Sequence, residues 1–332
     1  MAVKLVIEPV FEADFCETSY GFRPKRSAHD AIDAIADALV TGHVHVIDAD
    51  LSKYFDTIPH AKLMAVVAER IADGAVLALI KQWLAAPVVE EDEDGTRRMS
   101  GGKGNRQGTP QGGVISPLLA NIYLHLLDRL WQRRDLTRHL EARLVRYADD
   151  FVVLCRRETG RPMEVVRHVL GRLGLTLNEE KSKTVDARTT GFDFLGFSIR
   201  QRISHRSGKR YPHVTLRVQP HVEPSTRSLA RIRDRIKALT SRQRTPIPLE
   251  LIVAEVNTTL RGWVGYFHKR NCSEAMKEVR WHAEERLRTH LRDRHHIRCR
   301  ATGYKRFPSA KLYAVHGLYK VPTTAGWHPA NA

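Results

Sequence analysis

The stretch Arg143–Cys155 reads RLVRYADDFVVLC and holds two apolar, β-prone runs on either side of Ala148, Asp149 and Asp150. Two such runs around a short polar break predict a β-hairpin with adjacent carboxylates at its bend. Close carboxylates raise each other's pKa unless a cation neutralises them, so the pair points to a divalent metal. An isolated Asp-Asp pair is also typical of a solvated surface turn, and this stretch alone leaves both interpretations open.

A second acidic strand end lies upstream, in the sequence HVHVIDADLSKYFD that starts at His43. Its alternation places Asp48 and Asp50 on one face of a strand and the apolar residues Ile47, Ala49 and Leu51 on the other. Two acidic strand ends brought together can hold a pair of Mg²⁺ ions for phosphoryl or nucleotidyl transfer. Alternation alone does not choose between Asp48 and Asp50, although Asp50 is nearer the carboxyl end of the strand.

The charge is distributed unevenly along the 332 residues, whose formal net charge is +17. Residues 1–199 carry 26 Lys and Arg against 28 Asp and Glu, whereas residues 200–332 carry 28 against 9. A balanced first part and a cationic second part predict a catalytic body joined to a nucleic-acid-binding region. A solvated basic face is the alternative.

The sequence lacks the signals of disulfide-rich, zinc-binding, secreted and membrane-spanning proteins. The four cysteines lie far apart without a C-x-x-C pair, so neither a disulfide framework nor a four-ligand zinc site is predicted. Glu8 and Pro9 interrupt the N-terminal apolar run, which excludes a signal peptide in this stretch. The uncharged segment Gln107–Leu127 is rich in Gly, Pro, Gln and Asn and is unsuited to a membrane helix. We therefore predict a cytoplasmic protein without membrane association.

Periodicity and turn signals predict the main elements. The Pro-containing stretch Val218–Ser225 suggests a domain break near residue 220. Three amphipathic helices are predicted after it, with these inward positions: Leu229, Ile232, Ile236 and Leu239; Ile252, Val256, Leu260, Trp263 and Phe267; Met276, Val279, Ala283, Leu287 and Leu291.

Strands and helix starts are predicted in the same way before that break. Strands are expected at Val44–Leu51 and Phe192–Ile199, with a hairpin over Val88–Met99 that turns at Asp94–Gly95. Helix N-termini are expected at three serines: Ser27 with Asp30 as a capping box, Ser116 before Pro117, and Ser273.

Six sequence blocks, in this order, resemble those of group II intron reverse transcriptases. They are SYGFRPKRSAHDA at Ser19–Ala31, DADLSKYFD at Asp48–Asp56, QGTPQGGVISPLLANIYL at Gln107–Leu124, YADD at Tyr147–Asp150, GLTLNEEKSK at Gly174–Lys183 and FDFLGFSI at Phe192–Ile199. LRGWVGYFHK at Leu260–Lys269 is similar to the signature of the maturase domain, or domain X. The resemblance covers roughly residues 8–295.

This resemblance implies an α+β fold of the right-hand polymerase type, in which palm and fingers are built from an antiparallel sheet with packed helices and are followed by an α-helical thumb, the maturase domain X. The implied domains are partial fingers and palm at 1–220, the thumb at 221–295 and a basic, nucleic-acid-binding tail at 296–332. The implied partners are group II intron RNA, template RNA, primer or target DNA, and dNTPs, with no obligate protein partner. A bacterial, ribonucleoprotein-associated protein is expected.

Carried over position by position, the resemblance assigns Asp50, Asp149 and Asp150 as the catalytic acids that bind two Mg²⁺ ions, with Mn²⁺ as a possible substitute. Asp48 becomes a structural acid. Lys181 matches the lysine that protonates the leaving pyrophosphate, although a solvated lysine is an equally simple interpretation.

The nucleotide-binding residues implied are Arg23, Arg26, Phe55, Gln111 and Gly112. The two arginines would grip the triphosphate, with ordinary surface charge as the alternative for Arg26. Phe55 would crowd a 2′-hydroxyl, unless it is a core aromatic. Gln111 would lie against the incoming nucleotide, where Gly112 and its neighbour Gly113 leave room for the backbone to approach.

Seven basic residues are predicted to contact nucleic acid because Arg and Lys suit phosphate groups. They are Arg231, Arg235, Arg261, Lys269, Arg280, Arg288 and Arg292.

Two departures from the family pattern keep alternatives open. Family members usually have an N-terminal extension and a complete first finger block before the position that corresponds to Met1, and these are not found in this sequence. The paired cysteines and His-Asn-His elements of the family's endonuclease module are not found either. The chain is therefore predicted to be either an RNA-directed DNA polymerase with maturase function or an RNA-binding maturase without effective polymerase activity. A template-independent palm enzyme, such as a nucleotide cyclase, would explain the acids but not the thumb signature or the cationic second part.

Overall fold

The computed structural model describes residues 1–91, 97–100, 102, 104–110, 112–203 and 218–326. The chain divides into two compact units, Met1–Thr190 and Gly191–Ala332. The predicted turn at Asp94–Gly95 and the predicted nucleotide ligand Gln111 lie outside the described residues.

The first unit is a sheet covered by helices. Its helices are α1 (Ala2–Glu12), α2 (Ala28–Val40), α3 (Tyr54–Thr57), α4 (His60–Ala68), α5 (Gly74–Leu84), α6 (Ser116–Arg133), α7 (Leu136–His139) and α8 (Gly160–Leu173). Its strands are β1 (His45–Ala49), β2 (Val88–Glu91), β3 (Arg97–Ser100), β4 (Ala142–Tyr147), β5 (Asp150–Cys155) and β6 (Lys183–Asp186). Four strands form an antiparallel sheet in the order β4-β5-β1-β6, and β2 pairs with β3 in a separate antiparallel ribbon.

The second unit combines a small sheet with a helical bundle. The strands β7 (Phe192–Phe194), β8 (Phe197–Ile203) and β9 (Val218–Pro224) form an antiparallel sheet in chain order. The helices are α9 (Thr226–Leu239), α10 (Leu249–Phe267), α11 (Ser273–Arg294), α12 (Arg300–Arg306) and α13 (Ser309–Ala314), with a 3₁₀ turn at Arg242–Arg244.

Each unit has its own apolar core. In the first, α6 supplies the fully buried Tyr123 and Trp131, which belong to the same cluster as Ile47 of β1 and Phe151 of β5. In the second, the cluster joins α9, α10 and α11 through residues such as Ile236, Val256 and Leu287. Burial of each such side chain stabilises the fold by about 1.5–3 kcal/mol relative to an exposed one.

These observations confirm the predicted class, a mixed helical and antiparallel-sheet fold followed by a helical C-terminal region. The three helices predicted from period 3.6 are α9, α10 and α11, and their core residues Ile232, Val256 and Leu287 are buried. The paired strands β2 and β3 confirm the hairpin expected over Val88–Met99.

Boundaries and caps differ in part from the predictions. The compact units divide after Thr190 rather than near residue 220, because β7 and β8 pair with β9, which leads directly into α9. Ser27 and Asp30 form the predicted capping box. Ser116 does not cap α6, since its hydroxyl donates a hydrogen bond to the Pro110 carbonyl. Ser273 is the first residue of α11, and the N-cap position is occupied by Cys272.

No helix among the described residues is long and apolar enough to cross a membrane. All four cysteine thiols are unpaired with one another; Cys16, Cys155 and Cys272 are buried and Cys299 is exposed.

Candidate active site at the ends of β1 and β5

The sheet brings the three predicted catalytic acids to one edge. β1 pairs antiparallel with β5, with Ala49 opposite Phe151, and continuing this register by one residue places Asp50 beside Asp150. Tyr147 pairs with Asp150 across the β4–β5 hairpin, so Ala148 and Asp149 form its two-residue turn. Ala148 has a φ of +57°, a left-handed conformation that is costly for a residue with a side chain.

Electrostatics at this edge favour a cation. Burial raises the pKa of Asp149, and the carboxylate of Asp50 raises it further. Burial also raises the pKa of Asp150 to about 6, with further increases from Asp149 and Asp50 and an opposing effect of Lys181. Carboxylates that repel one another are hard oxygen donors of the kind Mg²⁺ prefers, so the residues present fit a divalent cation.

The acids do not form a complete cage by themselves. Within the described part of the chain, no three His, Cys, Asp or Glu side chains are grouped closely enough to hold a metal ion. Mg²⁺ is typically held by one or two carboxylates together with water and substrate phosphates. A cation here would therefore need oxygen ligands in addition to these side chains, such as water and substrate phosphates.

The segment that contains Lys181 is tethered to the end of β1. The Asn178 amide donates to the Asp50 carbonyl at 2.9 Å, and the Ser52 amide donates to the Thr176 carbonyl at 3.0 Å. The Asp50 amide donates to the Ser182 hydroxyl at 3.2 Å. These bonds bring the Lys181 ammonium to 3.9 Å from an Asp50 carboxylate oxygen, while 70% of the Lys181 side chain remains exposed.

Asn178 and Ser182 are thus supporting residues that sequence reasoning missed. Both lie inside the GLTLNEEKSK block, but nothing in their spacing indicates that they bond to the main chain of Asp50.

The glycine-rich segment before α6 is attached to the loop that follows Asp50. The Thr109 amide donates to the Phe55 carbonyl at 2.7 Å, and the Gly108 amide donates to the Ile58 carbonyl at 2.8 Å. Gly108 has a φ of +90°, and a Cβ there would lie 3.0 Å from the Asp56 carbonyl oxygen. Phe55 is partly buried against the first core. The structure thus brings Phe55 and this segment together, and the gate role of Phe55 stays a prediction.

The two glycines after Gln111 differ from each other. Gly112 is exposed and has a φ of +81°, with open space where a side chain would lie. At Gly113 an added Cβ would lie 2.7 Å from the Ser116 hydroxyl, so that residue makes room for an internal contact. Only Gly112 therefore retains the surface position expected of a nucleotide-binding glycine.

Arg23 requires a correction. Its side chain is 5% exposed and forms a 2.6 Å ion pair with Glu12. The same guanidinium donates to the carbonyls of Cys16 and Ser19 at 2.6 and 2.7 Å. These partners hold Arg23 inside the protein, so it is not an exposed triphosphate ligand. Arg26 is partly exposed and lies over the Tyr20 ring at 5.5 Å.

A buried polar network adjoins the Ala148–Asp149 turn. Arg146 and Asp128, with 0% side-chain exposure each, form an ion pair, and the Arg146 Nε lies 3.0 and 3.1 Å from the two Asp128 oxygens. Arg146 also donates to the Asn121 side-chain oxygen and to the Ala148 carbonyl, both at 2.9 Å. Sequence reasoning passed over these residues, although an arginine inside an apolar strand run is itself an unusual signal.

The predicted nucleic-acid contacts divide into exposed and enclosed residues. Arg231, Arg235 and Arg261 are exposed, and Arg261 lies over the Tyr319 ring at 4.6 Å. Arg280 is partly exposed and bonds to Glu284 and Tyr313. Arg292 is partly exposed and donates to the Arg298 carbonyl at 2.7 Å.

Lys269 and Arg288 are corrections, because both are buried, with residue exposures of 4% and 3%. Arg288 donates to the Phe307 carbonyl at 3.0 Å, pairs with Glu285 and lies over the Tyr304 ring. Its charge is used within the second unit, so neither side chain presents an open phosphate ligand.

Comparison with known proteins gives the class of this chain. Residues 1–199 match the family model for reverse transcriptase (RNA-dependent DNA polymerase). Since this match covers more than half of the 332 residues, the chain belongs to the reverse transcriptase family. Residues 229–307 match the maturase-specific domain of group II introns, so the chain is a group II intron type of reverse transcriptase.

Two curated proteins are similar to this chain. The chain is 35% identical over 234 residues to Protein YkfC of Escherichia coli (strain K12), covering 60% of this chain and 59% of that protein. It is 32% identical over 184 residues to the group II intron-encoded protein LtrA of Lactococcus lactis subsp. cremoris, covering 55% of this chain and 28% of LtrA. The chain therefore spans less than two thirds of the length of these relatives.

Among solved structures, this chain is similar to telomerase from Candida albicans in complex with a TWJ fragment of telomeric RNA. The TM-score is 0.49 and the sequence identity is 14%, over 94% of this chain and 56% of the telomerase chain.

Proposed function

We propose that this chain is an RNA-directed DNA polymerase of a group II intron that also acts as a maturase. It would extend a DNA primer with dNTPs on an RNA template. The observation that carries the proposal is the placement of Asp50 beside Asp150 and the Ala148–Asp149 turn, in a chain whose first 199 residues match the reverse transcriptase family.

The acids and their neighbours supply the parts of a nucleotidyl transfer site. Asp50, Asp149 and Asp150 would hold two Mg²⁺ ions, or Mn²⁺ in their place. When bound, such a pair activates an attacking hydroxyl and stabilises the leaving oxygen. The Lys181 side chain is 70% exposed, so its ammonium would turn from Asp50 to a leaving pyrophosphate and donate a proton to it. Arg26 would contact the triphosphate, and Phe55 would crowd a 2′-hydroxyl and so favour dNTPs.

The second unit supports the maturase part of the proposal. Arg231 and Arg235 on α9 and Arg261 on α10 are exposed and lie within the residues that match the maturase-specific domain. Arginine suits bidentate contacts with phosphate. We propose that these residues bind the intron RNA, and that the protein acts with this RNA as a ribonucleoprotein in the bacterial cytoplasm.

Primer extension on a poly(rA)/oligo(dT) hybrid with Mg²⁺ tests the polymerase activity. We expect incorporation of dTTP by the wild type and a loss on the order of 100-fold or more for Asp149→Asn, as for removal of one transition-state stabilising group. Asp135→Asn is the matched control, because Asp135 is an exposed acid of the same unit with a φ of +42°, a conformation that Asn tolerates. It should retain wild-type incorporation.

RNA binding separates the two functions. If Asp149→Asn binds intron RNA as tightly as the wild type does, RNA binding does not depend on the catalytic acids, as the proposal requires. Absence of incorporation by the purified wild type would refute the polymerase part and leave an RNA-binding maturase.

A further inference from the structure

Arg146 is a fully buried cation immediately before the catalytic turn. It uses the whole guanidinium: Nε and Nη2 face Asp128, whereas Nη1 donates to Asn121 and to the Ala148 carbonyl. Asp128 is buried as well, and its carboxylate is the ion-pair partner of the guanidinium. The guanidinium thus links helix α6, which carries Asp128 and Asn121, to the main chain of the turn between β4 and β5.

The segment Thr18–Gly21 makes a second set of contacts with the residues at this turn. The Arg146 amide donates to the Thr18 carbonyl and the Tyr20 amide donates to the Arg146 carbonyl, both at 2.8 Å. Asn121 donates through its amide group to the Gly21 carbonyl at 2.7 Å. Gly21 packs so closely that an added Cβ would lie 2.8 Å from the Tyr147 carbonyl carbon and would collide with the Ala148 amide nitrogen.

Simple packing does not require this arrangement. A buried ion pair is often no more stabilising than apolar residues of similar volume, because both charges must leave water. Ala148, in contrast, has a left-handed φ of +57° that persists only when neighbouring groups hold it. The group that holds its carbonyl is Arg146.

We infer that Arg146, supported by Asp128 and Asn121, is a positioning residue that fixes the Ala148–Asp149 turn and thereby keeps Asp149 and Asp150 beside Asp50. This inference rests on the proposed function, since it assigns the network to the metal-binding acids. Arg146 itself is too deeply buried to contact a substrate.

The test uses Arg146→Lys in the full chain. Lysine keeps the positive charge opposite Asp128 but has a single ammonium group, which cannot bond to Asp128, Asn121 and Ala148 in the planar geometry of a guanidinium. Binding of Mn²⁺ alone, followed by electron paramagnetic resonance, reports on the acids without requiring activity. Ile80→Ala is the control, because Ile80 is fully buried in α5 and its truncation weakens the core without touching the network.

We expect Arg146→Lys to bind Mn²⁺ at least about threefold more weakly than the wild type, and Ile80→Ala to bind it as the wild type does. In primer extension, kcat should fall at least about tenfold with a KM for dTTP within about twofold, on the general scale of loss of a group that orients metal ligands. Asn121→Leu, which removes the links to Arg146 and Gly21 at similar volume, provides the same test if Arg146→Lys does not fold.

The outcomes separate this inference from the proposed function. If Asp149→Asn leaves Mn²⁺ binding unchanged, Asp149 does not bind the metal, and the proposed set of metal ligands fails together with the inference. If Asp149→Asn abolishes Mn²⁺ binding while Arg146→Lys and Asn121→Leu bind normally, the positioning role is refuted and the proposed function stands. An equal loss in Ile80→Ala would show a general effect of stability and would also refute it.

Discussion

Gly21 shows how a missing side chain determines the shape of the site. Its backbone lies against Tyr147 and Ala148, and its carbonyl accepts a hydrogen bond from Asn121. A side chain at this position would meet main-chain atoms, which cannot rotate away as the end of a flexible side chain can. The close approach of the Gly21 main chain to Tyr147 and Ala148 therefore depends on a residue that has no side chain.

We predict that Gly21→Ala destabilises the protein and reduces primer extension. Overpacking against fixed neighbours typically costs about 1–3 kcal/mol, and relief of the collision would displace the turn that carries Asp149. Chemical denaturation and primer extension measure the two effects.

The matched control is Gly171→Ala in α8, where a Cβ meets nothing within 4 Å. Replacing a glycine inside a helix by alanine should stabilise the protein by about 0.5–1 kcal/mol. Wild-type stability in Gly21→Ala would contradict the prediction.

The residue scale is also where sequence reasoning failed most. Arg23, Lys269 and Arg288 were predicted as ligands because of their charge, supported for Arg23 and Lys269 by their position in a sequence block, and all three are buried. Their partners are identified only by the folded chain: Glu12 is eleven residues from Arg23, and Phe307 is nineteen residues from Arg288. The charge of a side chain predicts that it can bind phosphate, but it does not predict whether the side chain is already bound to another group within the folded protein.

At the scale of elements, α6 is a buried helix with polar side chains on it. Asn121, His125 and Asp128 are each no more than 6% exposed, and they alternate with core residues such as Leu124 and Leu127. Burial lowers the pKa of His125 to about 4; Asp128 opposes this effect, whereas Arg146 and Arg129 add to it. His125 therefore remains neutral in the folded protein under conditions in which an unfolded chain would protonate it.

We predict that this histidine makes the protein less stable in mild acid. The pKa of His125 in the folded protein lies below the ordinary value of 6.5. The histidine therefore does not reduce the free energy of unfolding above pH 6.5, but reduces it increasingly as the pH falls towards 4, by about 3 kcal/mol at most. Urea unfolding at pH 4.5, 5.5 and 7.0 should show a smaller pH dependence for His125→Gln than for the wild type.

His139→Gln is the control, since His139 is an exposed histidine of the same unit. It should keep the pH dependence of the wild type. The prediction is wrong if His125→Gln shows that same dependence.

Element types were more predictable than their ends. The 3.6-residue spacing of apolar residues predicted α9, α10 and α11, and the two apolar runs around Ala148–Asp150 predicted the β4–β5 hairpin. Both signals depend only on the local spacing of apolar residues. The strand β6 was not predicted, since its four residues have no apolar pattern and form a strand only by pairing with β1. The cap at Ser116 was wrong because its hydroxyl bonds to Pro110, a partner that spacing does not show.

At the scale of the whole molecule, the net charge of +17 is concentrated after residue 199. Part of this positive charge is neutralised inside the second unit, as for Arg233 with Glu278 and Arg244 with Glu255. The exposed Arg231, Arg235 and Arg261 remain as candidates for phosphate contacts.

We predict that RNA binding weakens steeply with salt and that the second unit sets the slope. Each phosphate contact with single-stranded RNA contributes about −0.7 to the slope of log K against log salt. Replacing Arg231, Arg235 and Arg261 together by Gln should therefore flatten the slope by about 2. Fluorescence anisotropy at several KCl concentrations measures the slope.

The control removes the same charge from the first unit by replacing the exposed Arg134, Arg138 and Arg161 with Gln. It should change the slope much less. Equal changes from the two triple variants would contradict the division of labour between the units.

The strand order of the main sheet also determines when the site can exist during synthesis. β1, which leads into Asp50, lies between β5 and β6, and both of these strands are made about a hundred or more residues later. Until they emerge from the ribosome, both edges of an apolar strand lack their native partners, a state prone to aggregation. Bringing Asp50 beside Asp149 and Asp150 is therefore a late, non-local folding step, and slowing translation between residues 50 and 186 would lengthen the interval in which a chaperone is needed.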